Sequence, residues 1–402
     1  MDPSGGPVVS RDRPIAVVST TISRTVDQFY REITGTLQRE GYRVHVITSA
    51  GPEIPALRAR ADHVHIVPMA RAVSLVADLR ALLGWIRVLR QVRPDVVFAG
   101  TPKAGLLGMV ASKLTRVPRR AYFLQGLRLE GVEGRHRAIL SAMERLTSWC
   151  SHVVIAVSPS LATRYRVLGL DAGRPLVVPH HGSSHGVNTE HFTPIPRAEH
   201  VLFDAGLQSS VPVLAFIGRL TRDKGPDALI AAARRIRELG DEVQLLILGA
   251  QDEADSAGYL ERLRGSGLPL AVYDHLEDVR PFLSVTDILV LPTWREGMPN
   301  VVLEAAAMGV PAITTDATGA VDSVEDGRTG LIVPVDDAPA LAAAIDRLLR
   351  EPELRREMGA AARARVVADF QPRDVAAAVV AAALGVPNPS PAARPMVGGA
   401  SE

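Results

Sequence analysis

Apolar residues in this chain fall into short uninterrupted runs, separated by longer stretches in which they recur every third or fourth position. Residues 14–20, Pro-Ile-Ala-Val-Val-Ser-Thr, form such a run and read as a buried strand. A polar loop follows, then a helix from about Val26 to Glu40 stopped by Gly41, then the strand Arg43-Val-His-Val-Ile-Thr. Strand, helix and strand between residues 14 and 48 make a βαβ unit, which requires a parallel sheet. The alternation continues with strand 63–66, helix 75–92, strand 95–99, a helix opened by Gly100-Thr-Pro-Lys-Ala-Gly, a strand from Arg119, a helix over 135–150 and strand 152–157. Helix 75–92 sets Arg80, Arg87, Arg90 and Arg93 among Leu, Ile and Trp85, the pattern of a core-covering helix with a solvated basic face, with a membrane-binding face as the alternative. The second half repeats the scheme with strands 212–218, 243–249, 269–273 and 287–293, and helices 226–240, 258–265 and 278–286 between them. Helices at 338–350, 353–369 and 372–384 close the chain. Residues 194–211, with two prolines and mixed charge, read as a linker between two α/β domains, 1–195 and 196–380. The tail 386–402, rich in Pro, Gly, Ser and Ala, is expected to be disordered.

The most informative stretch runs from residue 287 to 315. Asp287-Ile-Leu-Val-Leu-Pro-Thr is a strand, and Asn300 to Met308 a helix with Pro299 at its start and Gly309 at its stop. Free N–H groups at that helix N-terminus suit an anion. Glu296 on the loop and Glu304 in the helix would repel a bare phosphate, so the fitting ligand also offers hydroxyls. A nucleotide sugar has that chemistry, with Glu304 toward the ribose and Glu296 toward the sugar. On the residues alone, the alternative that Glu296 merely caps the helix and Glu304 is a solvated helix residue stays open. After strand 212–218, the loop Gly218-Arg219-Leu-Thr-Arg-Asp-Lys224-Gly225 lies on the same sheet edge, where open α/β sheets bind ligands. Only three of the 45 basic residues are lysines, and two of them, Lys103 and Lys224, stand beside glycines in loop-like stretches. There a compact ammonium can approach a phosphate. As an exposed loop cation, Lys224 is expected to add little to stability.

Length and composition narrow the class. The 402 residues suffice for two cores, and no apolar run is long enough to span a membrane. Met1 to Pro14 holds no apolar signal core, and the single Cys150 cannot form an internal disulfide, so a cytoplasmic location is expected. Cys150 reads as a packed thiol at a helix end. Residues 1–190 carry 25 Lys and Arg against 14 Asp and Glu, a balance of +11, whereas the remainder carries 20 against 30, a balance of −10. A basic half points to an anionic membrane surface or a phosphorylated acceptor. Basic residues interleaved with aromatics are absent, so nucleic acid is not an expected partner. No Gly-x-Gly-x-x-Gly follows the first strand, which argues against a dehydrogenase. His63-x-His65 lacks further ligands, and the adjacent His180 and His181 point apart on a strand, so neither they nor His185 predict a metal site.

Glu296-x7-Glu304 followed by Ala305-x3-Gly309-x-Pro311 resembles the donor-site signature of retaining glycosyltransferases of the GT-B fold. Thr101-Pro-Lys-Ala-Gly, the loop Gly126-Leu-Arg-Leu-Glu and Gly182-Ser-Ser-His-Gly-Val-Asn-Thr-Glu-His-Phe are similar to bacterial capsular and surface-polysaccharide members, over residues 14 to 385. The resemblance implies two doubly wound, Rossmann-like domains facing across a cleft. It implies a metal-independent transferase without cofactor, moving a hexose or N-acetylhexosamine from a UDP-sugar to a glycan or lipid-diphosphate-linked acceptor. Arg219 and Lys224 would meet the donor pyrophosphate and Glu296 would orient the sugar. Gly218, His275, Leu276, Gly297, Met298, Pro299, Asn300 and Glu304 would complete the donor site, with His275 and Leu276 at the nucleobase. Lys103, Gln125 and Arg128 would lie on the acceptor side, in the basic domain, which would sit peripherally on the inner face of the membrane. Gln125 departs from the His or Arg frequent in its place, and a neutral amide there supplies no charge. A nucleotide-sugar epimerase or hydrolase, a transferase for a soluble acceptor and a silent nucleotide-binding protein are the rival readings.

Overall fold

The computed structural model describes residues 13–70, 74–249, 255–274 and 276–387. The strands β1 (Ile15–Ser19), β2 (Arg43–Thr48), β3 (His63–Ile66), β4 (Val96–Gly100), β5 (Arg119–Leu124), β6 (Val153–Ala156) and β7 (Leu176–Val177) form one sheet. Its order is β3-β2-β1-β4-β5-β6-β7. A second sheet holds β8 (Val213–Ile217), β9 (Gln244–Leu248), β10 (Leu270–Tyr273), β11 (Ile288–Leu291), β12 (Ala312–Thr315) and β13 (Gly330–Val333) in the order β10-β9-β8-β11-β12-β13. Every pairing is parallel. The central strands are apolar on both faces because helices cover both. Strand order reverses between β1 and β4 in the first sheet and between β8 and β11 in the second. Ligands of open α/β sheets bind at such reversals, outside the carboxyl ends of the strands.

The helices of the first half are α1 (Ser23–Phe29), α2 (Arg31–Arg39), α3 (Ile54–Arg60), α4 (Leu75–Val92), α5 (Pro102–Leu114), α6 (Gly134–Cys150) and α7 (Pro159–Val167). Right-handed crossovers run leftward through α2 and rightward through α4, so these two helices take opposite faces of the sheet. α4, α5 and α6 pack side by side as one layer. The second half contributes α8 (Glu199–Asp204), α9 (Pro226–Leu239), α10 (Ser256–Arg264), α11 (Arg280–Val285), α12 (Asn300–Ala307), α13 (Ala338–Arg350), α14 (Pro352–Asp369) and α15 (Pro372–Leu384). α14 packs on α12, whereas α15 returns to α2, β5 and β6 of the first sheet. There Arg119 Nε donates to the Ala383 carbonyl at 2.8 Å. Apolar contact is continuous from the first sheet through Met298 and Leu303 to Val366 and Phe370, so the two halves share a buried seam.

Three stretches differ from expectation, the first being 180–181, which form a turn with His180 at φ 54° and not a strand. The single helix expected over 26–40 is broken at Tyr30, whose φ and ψ are −112° and 8°. Tyr30 is fully buried against Phe98 and Phe123 at 5.5 and 5.7 Å between rings. Its hydroxyl occupies the space a Cβ would need at Gly100. Packing therefore sets the break, not a local breaker. The expected linker contains α8, because Val201 and Leu202 bury into the second core beside α11. Cys150 is buried at the end of α6, and burial pushes its thiol up. His275 and the tail from residue 388 lie outside the described residues.

Candidate functional site

Three loops meet at the reversal of the second sheet: 218–225 after β8, 292–299 after β11 and 316–320 after β12. The first two nest because Gly225, at φ 71°, lies where any Cβ would stand 1.8 Å from the Pro292 carbonyl. Asp223 pins them together. Its carbonyl accepts from Trp294 N–H and from the Thr293 hydroxyl, each at 2.8 Å. Its carboxylate accepts from Arg295 at 2.8 Å and from the Thr221 hydroxyl at 2.5 Å. Burial pushes the Asp223 carboxyl up, but the Thr221 hydrogen bond and the charges of Arg295, Lys224 and Arg219 outweigh it, and the group lies below the usual carboxylate range. Asp223 thus stays ionised and fixes the turn that presents Lys224.

Lys224 forms an ion pair with Glu296, and the two side chains keep 17% and 14% exposure. Lys224 is therefore no free surface cation, which corrects the expectation from the sequence. Glu296 N–H donates to the Thr318 carbonyl at 2.8 Å, tying the third loop to the second. Immediately after Glu296, Gly297, Met298 and Pro299 are buried and lead into α12, whose N-cap is Pro299. The first-turn N–H groups of a helix have no intrahelical acceptor, so α12 directs donors at this end. Glu304, one turn further, is half-buried, and desolvation pushes its carboxyl up to about 7. It is not the freely solvated helix residue of the alternative reading. Gly218 ends β8 with its N–H donating to the Leu248 carbonyl at 2.8 Å, and Arg219 follows, exposed. Leu276 packs partly buried against the second core.

From the first sheet, Gln125 follows β5, and its carbonyl lies so close to Gly297 that a Cβ there would stand 2.0 Å away. Arg128 opens the 3₁₀ turn Arg128–Gly131 and is exposed. Lys103, in the first turn of α5, pairs with Asp78 of α4 at 2.7 Å. Nearby at the reversal of the first sheet, Thr101 adopts φ 64°, a conformation β-branched residues rarely hold. Its hydroxyl lies 2.7 Å from that of Thr21 and accepts from Thr21 N–H at 3.1 Å. Such strain at a ligand-binding edge marks a functional candidate.

Ser160, Asp322, Arg164 and Thr318, which the sequence did not single out, help to join the halves. Asp322 accepts from Ser160 N–H at 2.9 Å and from its hydroxyl at 2.5 Å, and the same hydroxyl accepts from Gly319 N–H at 2.7 Å. Glu130 accepts from the Thr318 hydroxyl at 2.9 Å and from Arg164 at 3.1 Å. Asn300 donates to the Ser184 hydroxyl at 3.2 Å, which places the Gly182-Ser-Ser-His185 loop beside α12. His185 stacks on Phe29, and burial lowers its imidazole to about 4.

A family model described as "Glycosyl transferases group 1" matches residues 211–351, and one described as "Glycosyl transferase 4-like domain" matches residues 25–181. The capsular polysaccharide biosynthesis glycosyltransferase CapM of Staphylococcus aureus is 33% identical over 87% of this chain and 91% of its own length. The N,N'-diacetylbacillosaminyl-diphospho-undecaprenol alpha-1,3-N-acetylgalactosaminyltransferase of Campylobacter jejuni is 27% identical over 76% of this chain and 86% of its own. Among solved structures, Anabaena Alr3699/HepE in complex with UDP-glucose superposes with a TM-score of 0.76 at 17% identity, covering 92% of this chain and 100% of that one.

Proposed function

Because the chain belongs to the GT-B glycosyltransferases of bacterial surface-polysaccharide synthesis, we propose that it transfers a sugar, with retention at the anomeric carbon, from a nucleoside diphosphate sugar to a lipid-diphosphate-linked glycan. The observation that carries this reading is the convergence of Lys224, Glu296 and the α12 N-terminus on one strand-order reversal. When donor enters, its diphosphate competes with Glu296 for Lys224, and Arg219 adds a second cation. Glu296, released from the pair, accepts from hydroxyls of the sugar, and Glu304 from those of the ribose. As the bond from the anomeric carbon to the phosphate oxygen breaks, charge grows on the leaving diphosphate. Fixed cations and helix N–H groups stabilise that charge without reorganising. The acceptor hydroxyl attacks from the face the diphosphate leaves, and its proton passes to the departing phosphate oxygen. No pair of catalytic carboxylates is required.

A UDP-linked hexose or N-acetylhexosamine is the donor we favour, in keeping with a relative named as an N-acetylgalactosaminyltransferase. The same name, with its diphospho-undecaprenol, and the +11 balance of residues 1–190 support a lipid-linked acceptor at the cytoplasmic face of a membrane. No helix among the described residues is long and apolar enough to cross one. A thermal-shift screen across UDP-, GDP- and dTDP-sugars tests the donor, since a ligand that binds only the folded state raises its stability. NMR of the product tests the anomeric outcome. Inverted product would overturn retention, and steady donor turnover without acceptor would make the enzyme a hydrolase or epimerase.

A further inference from the structure

α4 is less one-sidedly polar than its sequence suggests. Ala81, Trp85 and Leu89 face the core as expected. The opposite stripe, at positions 76, 79, 80, 83, 87 and 90, does not carry arginine alone. Leu75, Val76, Leu79 and Leu83 stand 57–87% exposed over the first turns, and Arg80, Arg87 and Arg90 are exposed along the same face. α6, on the other side of α5 in the same layer, repeats the mixture. Ile139 and Trp149 are more than half exposed, with Arg135 and Arg145 between or beside them. Lys113 of α5 sits 3.0 Å over the Trp149 ring, so the apolar and basic groups of neighbouring helices meet. The acids on these three helices do not offset the charge: Asp78 holds Lys103, and Glu144 is buried. An outer face with exposed leucines and a tryptophan, basic and with no exposed acid within its three helices, is what a charged bilayer surface selects.

We propose that the outer side of the α4–α5–α6 layer is the membrane-docking face, with arginines on anionic headgroups and the first turns of α4 in the interface. This rests on the membrane-bound acceptor proposed above and goes further by naming the surface. The placement has a functional consequence. Each of these helices starts at the carboxyl end of the strand before it, the edge that lines the cleft. Docking through the start of α4 therefore brings the bilayer to the acceptor lip, where Lys103 and Thr101 lie.

Flotation with phosphatidylcholine vesicles, with and without phosphatidylglycerol, at low and high salt tests the idea on the full chain. Binding is expected only with phosphatidylglycerol and should weaken with salt. Arg80→Glu/Arg87→Glu/Arg90→Glu should weaken it on the order of a hundredfold. Leu79→Ser/Leu83→Ser should remove the part that survives high salt. In the unaltered protein, Trp149 emission should shift to the blue on anionic vesicles, with Trp149→Phe as the control. Turnover of a water-soluble acceptor analogue should be unchanged in every variant, because none of these residues belongs to the donor site. Vesicle binding that the arginine and leucine variants leave intact would overturn this face while the membrane reading stands. Wild-type protein that fails to bind anionic vesicles at low salt would remove both, and soluble-acceptor turnover would still support the transferase. Equal binding to neutral vesicles or to an acidic protein alone would also overturn the proposal.

Discussion

Lys224 and Glu296 meet across 72 positions of sequence, each with less than a fifth of its side chain exposed. Removing Lys224 therefore does two things at once. It deletes the cation proposed to face the leaving diphosphate, and it leaves the Glu296 carboxylate desolvated without that partner. Lys224→Ala should lower kcat by about 10²–10³ and cost about 1–3 kcal/mol of stability, read by steady-state kinetics and thermal unfolding. Near-normal activity would sink its assignment. If the protein supplies these charges in place of a divalent ion, activity should persist in excess EDTA. Complete loss, restored by Mg²⁺ or Mn²⁺, would count against the mechanism as written. Glu304 gives a pH signature. Burial raises its carboxyl to about 7, so acid below that pH leaves it protonated and a poorer acceptor for the ribose hydroxyls proposed to meet it. Donor Kd should rise as pH falls from 8 to 6, and Glu304→Gln should flatten the profile in calorimetric titrations. Both glutamates were legible from their spacing and their place after an apolar strand. Asp223 was not, since an acid in a basic loop has no sequence mark. Its role comes from contacts with Thr293, Trp294 and Arg295, about seventy residues on.

At the scale of elements, strands announced themselves because a parallel sheet covered on both faces demands short apolar runs. α12 was equally plain, with Pro299 before it and Gly309, at φ 79°, after it. The break at Tyr30 and the helix inside the supposed linker were hidden because burial, not Pro or Gly, decides them. A buried charge likewise escapes sequence reading. Glu144 of α6 accepts from Tyr122 of β5 at 3.0 Å and from Tyr165 of α7 at 3.1 Å. Burial nevertheless pushes its carboxyl from the ordinary 4.5 to about 7. The folded chain then holds this proton where the unfolded chain has released it. Stability from this group is full below about 4.5, falls as pH rises to about 7 and stays reduced above. Glu144→Gln keeps an acceptor for both tyrosines and removes the ionisation. The variant should gain on the order of 3 kcal/mol relative to wild type between pH 4 and pH 8, measured by urea unfolding at each pH. Parallel stability curves for the two proteins would show that the proton is not held as described.

For the molecule as a whole, the seam between the halves adjoins the candidate site. Ser160, at the start of α7 in the first half, donates N–H and hydroxyl to Asp322 and accepts from Gly319 N–H. Gly319 adjoins Thr318, whose carbonyl holds the Glu296 backbone. One serine hydroxyl therefore links the spacing of the two halves to the placement of Glu296. This clasp spans 162 positions, and nothing in the local sequence of either partner points to it. Ser160→Ala keeps the helix N–H for Asp322 but loses both hydroxyl bonds, a loss of about 1–3 kcal/mol from the closed arrangement. Spread over the seam, that loss should favour a more open molecule, with a larger radius of gyration by small-angle X-ray scattering. It should also lower kcat/KM for donor by about five- to a hundredfold, as the lost energy converts to population. Ser160→Thr keeps a hydroxyl and should recover most of both. If Ser160→Ala leaves scattering and kcat/KM at wild-type values, the clasp has no hold on closure, and the apolar seam through Met298, Leu303 and Phe370 alone keeps the halves together.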